Sequence, residues 1–187
     1  MELVNRNKKI FLISGKARHG KDTTAEIIGQ LVNEKGLKSI NLSFGSYIKE
    51  YTKKISNWDG NEETKESVRG LLQQLGTEII RAKIDNYFFI NRIIQDIMVY
   101  SYYFDIITIS DIRLLEEIEK LTERFDNSVT IHVFRPNLET NLTATEQKHR
   151  TETSLDNFHD YDYELINDGT IEDLKEKIAV IVDKELM

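Results

Sequence analysis

The sequence predicts an α/β fold, a five-stranded parallel sheet flanked by helices in a single domain. Three observations predict it. Short, continuous apolar runs of the kind buried on both faces recur at 9–14, 39–44, 104–110, 128–134 and 163–166. Stretches with helical apolar spacing separate them. A glycine-containing turn joins the first run to the first helix. Such alternation indicates parallel strands joined by helical crossovers.

Each element has its own warrant. KIFLIS (9–14) ends at Gly15, as a buried strand entering a turn does. From Lys21 to Lys35, Ala25, Ile28, Leu31 and Val32 follow helical spacing, and Gly36 supplies a stop. SINLSF (39–44) reads as the second strand and Tyr47–Ile55 as a short helix, followed by the polar SNWDGNEET. Val68, Leu71, Leu72, Leu75 and Ile79 define an amphipathic helix, and Phe88 to Tyr100 another apolar-rich one. FDIITIS (104–110) is the third strand, and Leu114, Leu115, Ile118, Leu121 and Phe125 mark the helix after it. SVTIHVF (128–134) is the fourth strand, ended by the only proline, Pro136. Residues 137–161 are polar and aperiodic, a long excursion of the functional or mobile kind. YELI (163–166) is the fifth strand, turned by Asn167-Asp168-Gly169, and Ile171, Leu174, Ile178 and Ile181 carry the closing helix.

Composition excludes several classes. At 187 residues, 40% hydrophobic and 30% charged, the chain suits one soluble domain. No apolar run approaches the roughly 20 residues a membrane helix needs. MELVNRNKKIFLI lacks a signal-peptide pattern. Zero cysteines excludes disulfides and thiolate chemistry and predicts a cytoplasmic protein. The N-x-[ST] matches at Asn41 and Asn141 are then coincidental. A net charge of −7 speaks against nucleic acid as partner and for a small anionic ligand held by a few placed cations.

In such a fold ligands collect beyond the C-terminal strand ends, where Gly15, Phe44, Asp111 and Arg135 fall. SGKARHGKDTTAE (14–26) matches the phosphate-binding pattern G-x-x-x-x-G-K, with Asp22 where a hydroxyl usually follows. Glycines 15 and 20 let the backbone N–H groups of Lys16, Ala17, Arg18 and His19 curl toward a phosphate, with the helix N-terminus adding positive potential. Lys21 would reach the β and γ phosphates, Thr23 with Thr24 behind it would meet the α-phosphate, and Asp22 offers Mg²⁺ an oxygen ligand. The alternative is a strand–helix turn without ligand, which the strand before and helix after disfavour.

Asp111, in TISDIR, is either a ligand for a Mg²⁺-bound water or a helix N-cap. Arg69 and Gln73, four apart with Arg81 further along, form either a phosphate-and-base-reading face or a solvated one. Lys49 and Arg113 are either phosphate clamps or surface cations. Arg135 closes the fourth strand and Arg150 sits within the polar excursion, in KHRTE, where a lid would carry arginine over the transferring group; the alternative is a disordered loop with an incidental arginine. His19, His132, His149 and His159 show no metal spacing; His132 is expected in the core and His19 pointing away from the phosphates.

GKARHGKDTTAE, RGLLQQLGTEIIR, ISDIRLLEE, HVFRP, HRTE and INDGTIEDL, in that order, resemble the deoxynucleoside monophosphate kinases of phages and some bacteria. The resemblance implies the P-loop NTPase three-layer fold. Its core would be 8–43, 104–135 and 162–187, with a helical monophosphate-binding insertion at 44–103 and a lid at about 136–161. It implies ATP and Mg²⁺ as cofactors, with γ-phosphoryl transfer to a deoxynucleoside monophosphate in a monomer or homodimer. Lys49, Arg69, Gln73 and Arg81 would then serve the acceptor, and Arg113 a phosphate. Arg135 and Arg150 would serve the nucleotide and lid, Asn167 and Gly169 the adenine end, and Lys21, Asp111 and Arg150 catalysis. Asp22 after the loop lysine is this subgroup's form. The family's Pro-Asn is replaced by Leu114 and Leu115 before Glu116 and Glu117, and the short stretch between Lys49 and Arg69 implies a reduced base pocket. Another phosphorylated acceptor (phosphomevalonate or dephospho-coenzyme A) and a non-catalytic nucleotide binder remain alternatives.

Overall fold

The computed structural model describes residues 8–136, 138, 147 and 150–187. The expectations at Asn141 and His149, at the N-terminal MELVNRN, and over most of 137–149 lie outside the described residues. The chain forms two compact units, one running to Leu42 and resuming at Ile97, the other Ser43–Asp96.

The first unit is built on five parallel strands in the order β2-β3-β1-β4-β5. They are β1 (Lys9–Ser14), β2 (Ser39–Leu42), β3 (Ile106–Ile112), β4 (Ser128–Phe134) and β5 (Tyr163–Ile166). Strand β1 is central because its residues are apolar on both faces, and Ile10, Phe11, Leu12 and Ile13 are at most 1% exposed. On one face, Phe11 and Ile13 of β1 with Val129, Ile131 and Val133 of β4 pack against two helices. These are α1 (Lys21–Glu34), through Ala25, Ile28 and Val32, and the C-terminal helix Ile171–Leu186, through Leu174, Ile178 and Val182. Helix α5 (Leu115–Arg124) buries Ile118 and Leu121 from the same amphipathic stripe that marked it in sequence. A short helix, α6 (Arg150–Thr153), precedes β5, so the C-terminal helix is α7.

The second unit holds α2 (Phe44–Ser56), a 3-10 segment (Glu62–Val68), α3 (Arg69–Gln73), a π-helical segment (Gln74–Ile84) and most of α4 (Phe88–Tyr100). Two expectations are corrected here. Strand β2 stops at Leu42, and Phe44, read as its end, opens α2 with its ring 3% exposed. The predicted single helix from Val68 changes its hydrogen bonding at Gln74 to the wider i→i+5 pattern. Buried Leu75 is therefore followed by buried Ile80, five residues on, where a 3.6-residue period had selected Ile79. Gly76 allows Ile48 of α2 to approach closely; a Cβ there would lie 3.0 Å from the Ile48 Cδ1.

Candidate active site

Residues 15–20 form a loop between β1 and α1 whose glycines are conformationally required. Gly15 has φ +141°, and a Cβ on it would lie 2.3 Å from the Val133 carbonyl oxygen; Gly20, with φ +105°, starts α1. Arg18 also takes positive φ. Asn167 fixes the far side, its Nδ2 donating to the His19 carbonyl at 3.0 Å while its backbone N–H donates to Phe134. His19, expected to point away from the phosphates, is buried. Its Nδ1 lies 3.3 Å from both the Val133 carbonyl and the Arg135 backbone nitrogen, and its ring meets Phe134 edge-on. Burial holds its pKa below the ordinary imidazole value, and the Lys21 and Lys16 charges act in the same direction.

Lys21 sits in the first turn of α1, 7% exposed, with its ammonium donating to the Lys16 carbonyl at 2.8 Å. Desolvation and the Arg113 charge lower its pKa to about 8. A cation kept in so dry a place is a strong attractor for an anion. Asp22 accepts a hydrogen bond from the Ser110 hydroxyl at 2.6 Å, which brings β3 to the start of α1. Thr24 is fully buried and spends its hydroxyl on the Gly20 carbonyl at 2.9 Å. Asp111 lies inside β3, and Leu114 stands at the start of α5, so Asp111 is not that helix's N-cap.

Two cavities adjoin the loop. One, of about 400 Å³, gathers Arg18, Gly20, Lys21, Asp22, Thr23, Arg135, Asn167 and Gly169 with Thr170, Ile171 and Leu174. The other, of about 350 Å³, runs from Gly15, Lys16 and Arg113 under residues 151–161 to His132, Phe134, Phe158 and Tyr161. His132, expected in the core, is half-buried on that wall with Nδ1 3.1 Å from the Ser14 Oγ; Tyr161 stacks on it at 4.8 Å. His159 lines the same cavity. Among the described residues no three histidine or acidic side chains cluster as a metal-ligand set.

Arg113 is held from below. The buried Glu117 carboxylate accepts the Arg113 and Leu114 backbone N–H groups at 2.9 and 3.0 Å, and the Arg113 guanidinium pairs with Glu152 of α6. Arg150 pairs with Glu116 of α5. Lys49, Arg69, Gln73 and Arg81 belong to the second unit. There Arg69 Nε bonds Glu66 at 2.9 Å and Arg81 lies 5.0 Å over the Phe89 ring. Sequence reasoning missed Ser110, Glu117 as a backbone clamp, and Glu152. Ser110 carried no signal, whereas Glu117 in the first turn of a helix is a capping position that can be read.

The deoxynucleotide monophosphate kinase family matches residues 31–178. The proteins named deoxynucleotide monophosphate kinase from Escherichia phage RB69 and Enterobacteria phage T4 are each 32% identical to this chain. The RB69 match covers 62% of this chain and 45% of the phage protein, the T4 match 67% and 49%. The chain thus spans about half the length of the curated relatives it matches. Among solved structures, Mycobacterium tuberculosis APS kinase CysC in complex with AMPPNP and APS superposes with TM-score 0.59 at 12% identity, over 95% of this chain and 98% of that one. Dephospho-CoA kinase from Campylobacter jejuni gives 0.51 at 16%, over 95% and 97%. Those two likenesses establish the P-loop kinase fold and nothing finer. The sequence match, which runs from within α1 to within α7, settles the kinship: this chain belongs to the deoxynucleotide monophosphate kinase family.

Proposed function

We propose that the protein transfers the γ-phosphoryl group of ATP to a deoxynucleoside monophosphate, giving ADP and the diphosphate. The single observation that carries this reading is Lys21, a buried ammonium at a helix N-terminus beneath a loop whose Gly15 admits no side chain. Family membership and the names of the phage relatives support the acceptor class.

The acceptor is already an oxyanion, so the chain needs no strong base. Its task is to position two polyanions and neutralise their charge. Loop N–H groups and Lys21 would hold the donor phosphates. The cavity bearing Arg18, Arg135, Asn167 and Gly169 suits the rest of the donor nucleotide. Arg113 would take a phosphate, and Lys49, Arg69, Gln73 and Arg81 the acceptor. Arg150 would act on the transferring group once released from Glu116.

Asp22, bonded to the Ser110 hydroxyl of β3, and Asp111, the next residue of that strand, both act on the Lys21 charge, and these two carboxylates would be the oxygen ligands for Mg²⁺ beside substrate phosphates. Mg²⁺ there would supply charge neutralisation at the phosphates. Among the described residues no helix is long and apolar enough to cross a membrane. A chain without cysteine suits the reducing cytoplasm in which we place it.

The test is ADP release with ATP and Mg²⁺ across dTMP, dGMP, dCMP, dAMP and their ribose counterparts. Turnover with one or two deoxynucleotides is expected. A flat panel in a protein that binds ATP would overturn the acceptor assignment.

A further inference from the structure

The phosphate loop already holds an anion, and the chain itself supplies it. Ala17 at the middle of the loop donates its backbone N–H to Glu152 Oε2 at 3.4 Å, while Oε1 of the same carboxylate pairs with Arg113. The Glu152 side chain is only 9% exposed, and its charge is felt by Lys21. A backbone N–H of a glycine loop together with a guanidinium is the donor pair that recognises a phosphoryl oxygen. A carboxylate offers that pair the same acceptor atoms. The rest of the segment is tied on both sides: Asp156 pairs with Lys16 at 2.9 Å, and the Ser154 hydroxyl accepts the Leu115 N–H at 3.2 Å.

We infer that Glu152 is a built-in competitor for the bound phosphoryl group, occupying the Ala17 N–H and Arg113 until a polyphosphate displaces it. The inference rests on the phosphate-binding reading of the loop. Every phosphorylated ligand must break the Glu152 contacts, and a displaced carboxylate would stand beside a polyanion. The affinity of the site is thereby set below what its cations alone would give. Because every phosphorylated ligand must break the same two contacts, the device lowers the affinity for each by the same factor.

Calorimetric titration with inorganic tripolyphosphate, free of divalent cations, tests this on the full chain. Glu152→Gln keeps the shape and removes the charge. If the competing carboxylate holds the loop nine-tenths of the time, that variant binds about tenfold tighter than the wild type. Glu34→Gln, which removes one negative charge at the opposite end of α1, is expected to leave affinity unchanged. Equal or weaker binding by Glu152→Gln overturns the inference, as does equal tightening by Glu34→Gln. Lys21→Ala separates the two levels of the argument. If it binds as well as the wild type, or if no form binds tripolyphosphate, the loop reading itself fails and the inference with it.

Discussion

Replacing Lys21 with Met should make the empty protein more stable while destroying its use for phosphate. Lys21 keeps a charge in a site 7% exposed, and the shift of its pKa from 10.5 to about 8 measures what that costs. The difference of 2.5 units between those two values corresponds to about 3 kcal/mol against the charged form at neutral pH. Met loses the hydrogen bond to the Lys16 carbonyl, worth about 1 kcal/mol, so a net gain of about 2 kcal/mol is expected. The pH dependence isolates the charge. Because the folded pKa lies below the unfolded one, the unfolded chain retains the proton between about 8 and 10.5 while the folded chain releases it. Wild-type stability therefore rises with pH through that window, and the Met variant lacks this increment. By about pH 9.5 the gap should shrink by about 2 kcal/mol. Urea unfolding of both proteins at neutral pH and at about pH 9.5 reads this directly. A Met variant less stable at neutral pH, or a gap that does not change with pH, would refute the idea that the loop holds a desolvated cation for an incoming anion.

Other outcomes follow from the same geometry. Gly15→Ala places a Cβ against the Val133 carbonyl in a positive-φ conformation and should cost about 3 kcal/mol or more, with loss of ATP binding, by thermal unfolding and titration. Glu117→Ala leaves the Arg113 and Leu114 N–H groups without their carboxylate and should cost about 3 kcal/mol in denaturant unfolding. Arg69→Ala should raise KM for the monophosphate about tenfold or more, as loss of a charge-assisted contact does, and leave KM for ATP nearly unchanged in steady-state kinetics.

Much of this molecule was legible in its residues, for identifiable reasons. Strands β4 and β5 and helix α4 were read with their observed bounds because unbroken apolar runs and a long helical period are strong signals. The grouping of Arg18, Lys21, Asp22, Arg135, Asn167 and Gly169 around one cavity follows from strand order, since β1, β4 and β5 are neighbours and all point the same way. The failures have physical causes too. Phe44 is apolar and follows a strand, and no local property says that its ring is buried from the start of a helix. The π-helical segment at Gln74–Ile84 includes Gly76, which Ile48 approaches closely, a contact between residues far apart in sequence that no local period reveals. The pairings of Arg113 with Glu152 and of Arg150 with Glu116 join residues more than thirty positions apart, which no periodicity reveals. Glycine at 15 and lysine at 21 pointed to a loop between strand and helix; that Glu152 would accept the Ala17 N–H of that loop required the fold.

The most direct test follows the phosphoryl group itself. With γ-labelled ATP, Mg²⁺ and the preferred deoxynucleoside monophosphate, the wild type should pass the label to the deoxynucleoside diphosphate, and the well-folded Lys21→Met protein should not. Label appearing only as inorganic phosphate, or equal transfer by the Lys21→Met protein, would contradict the account.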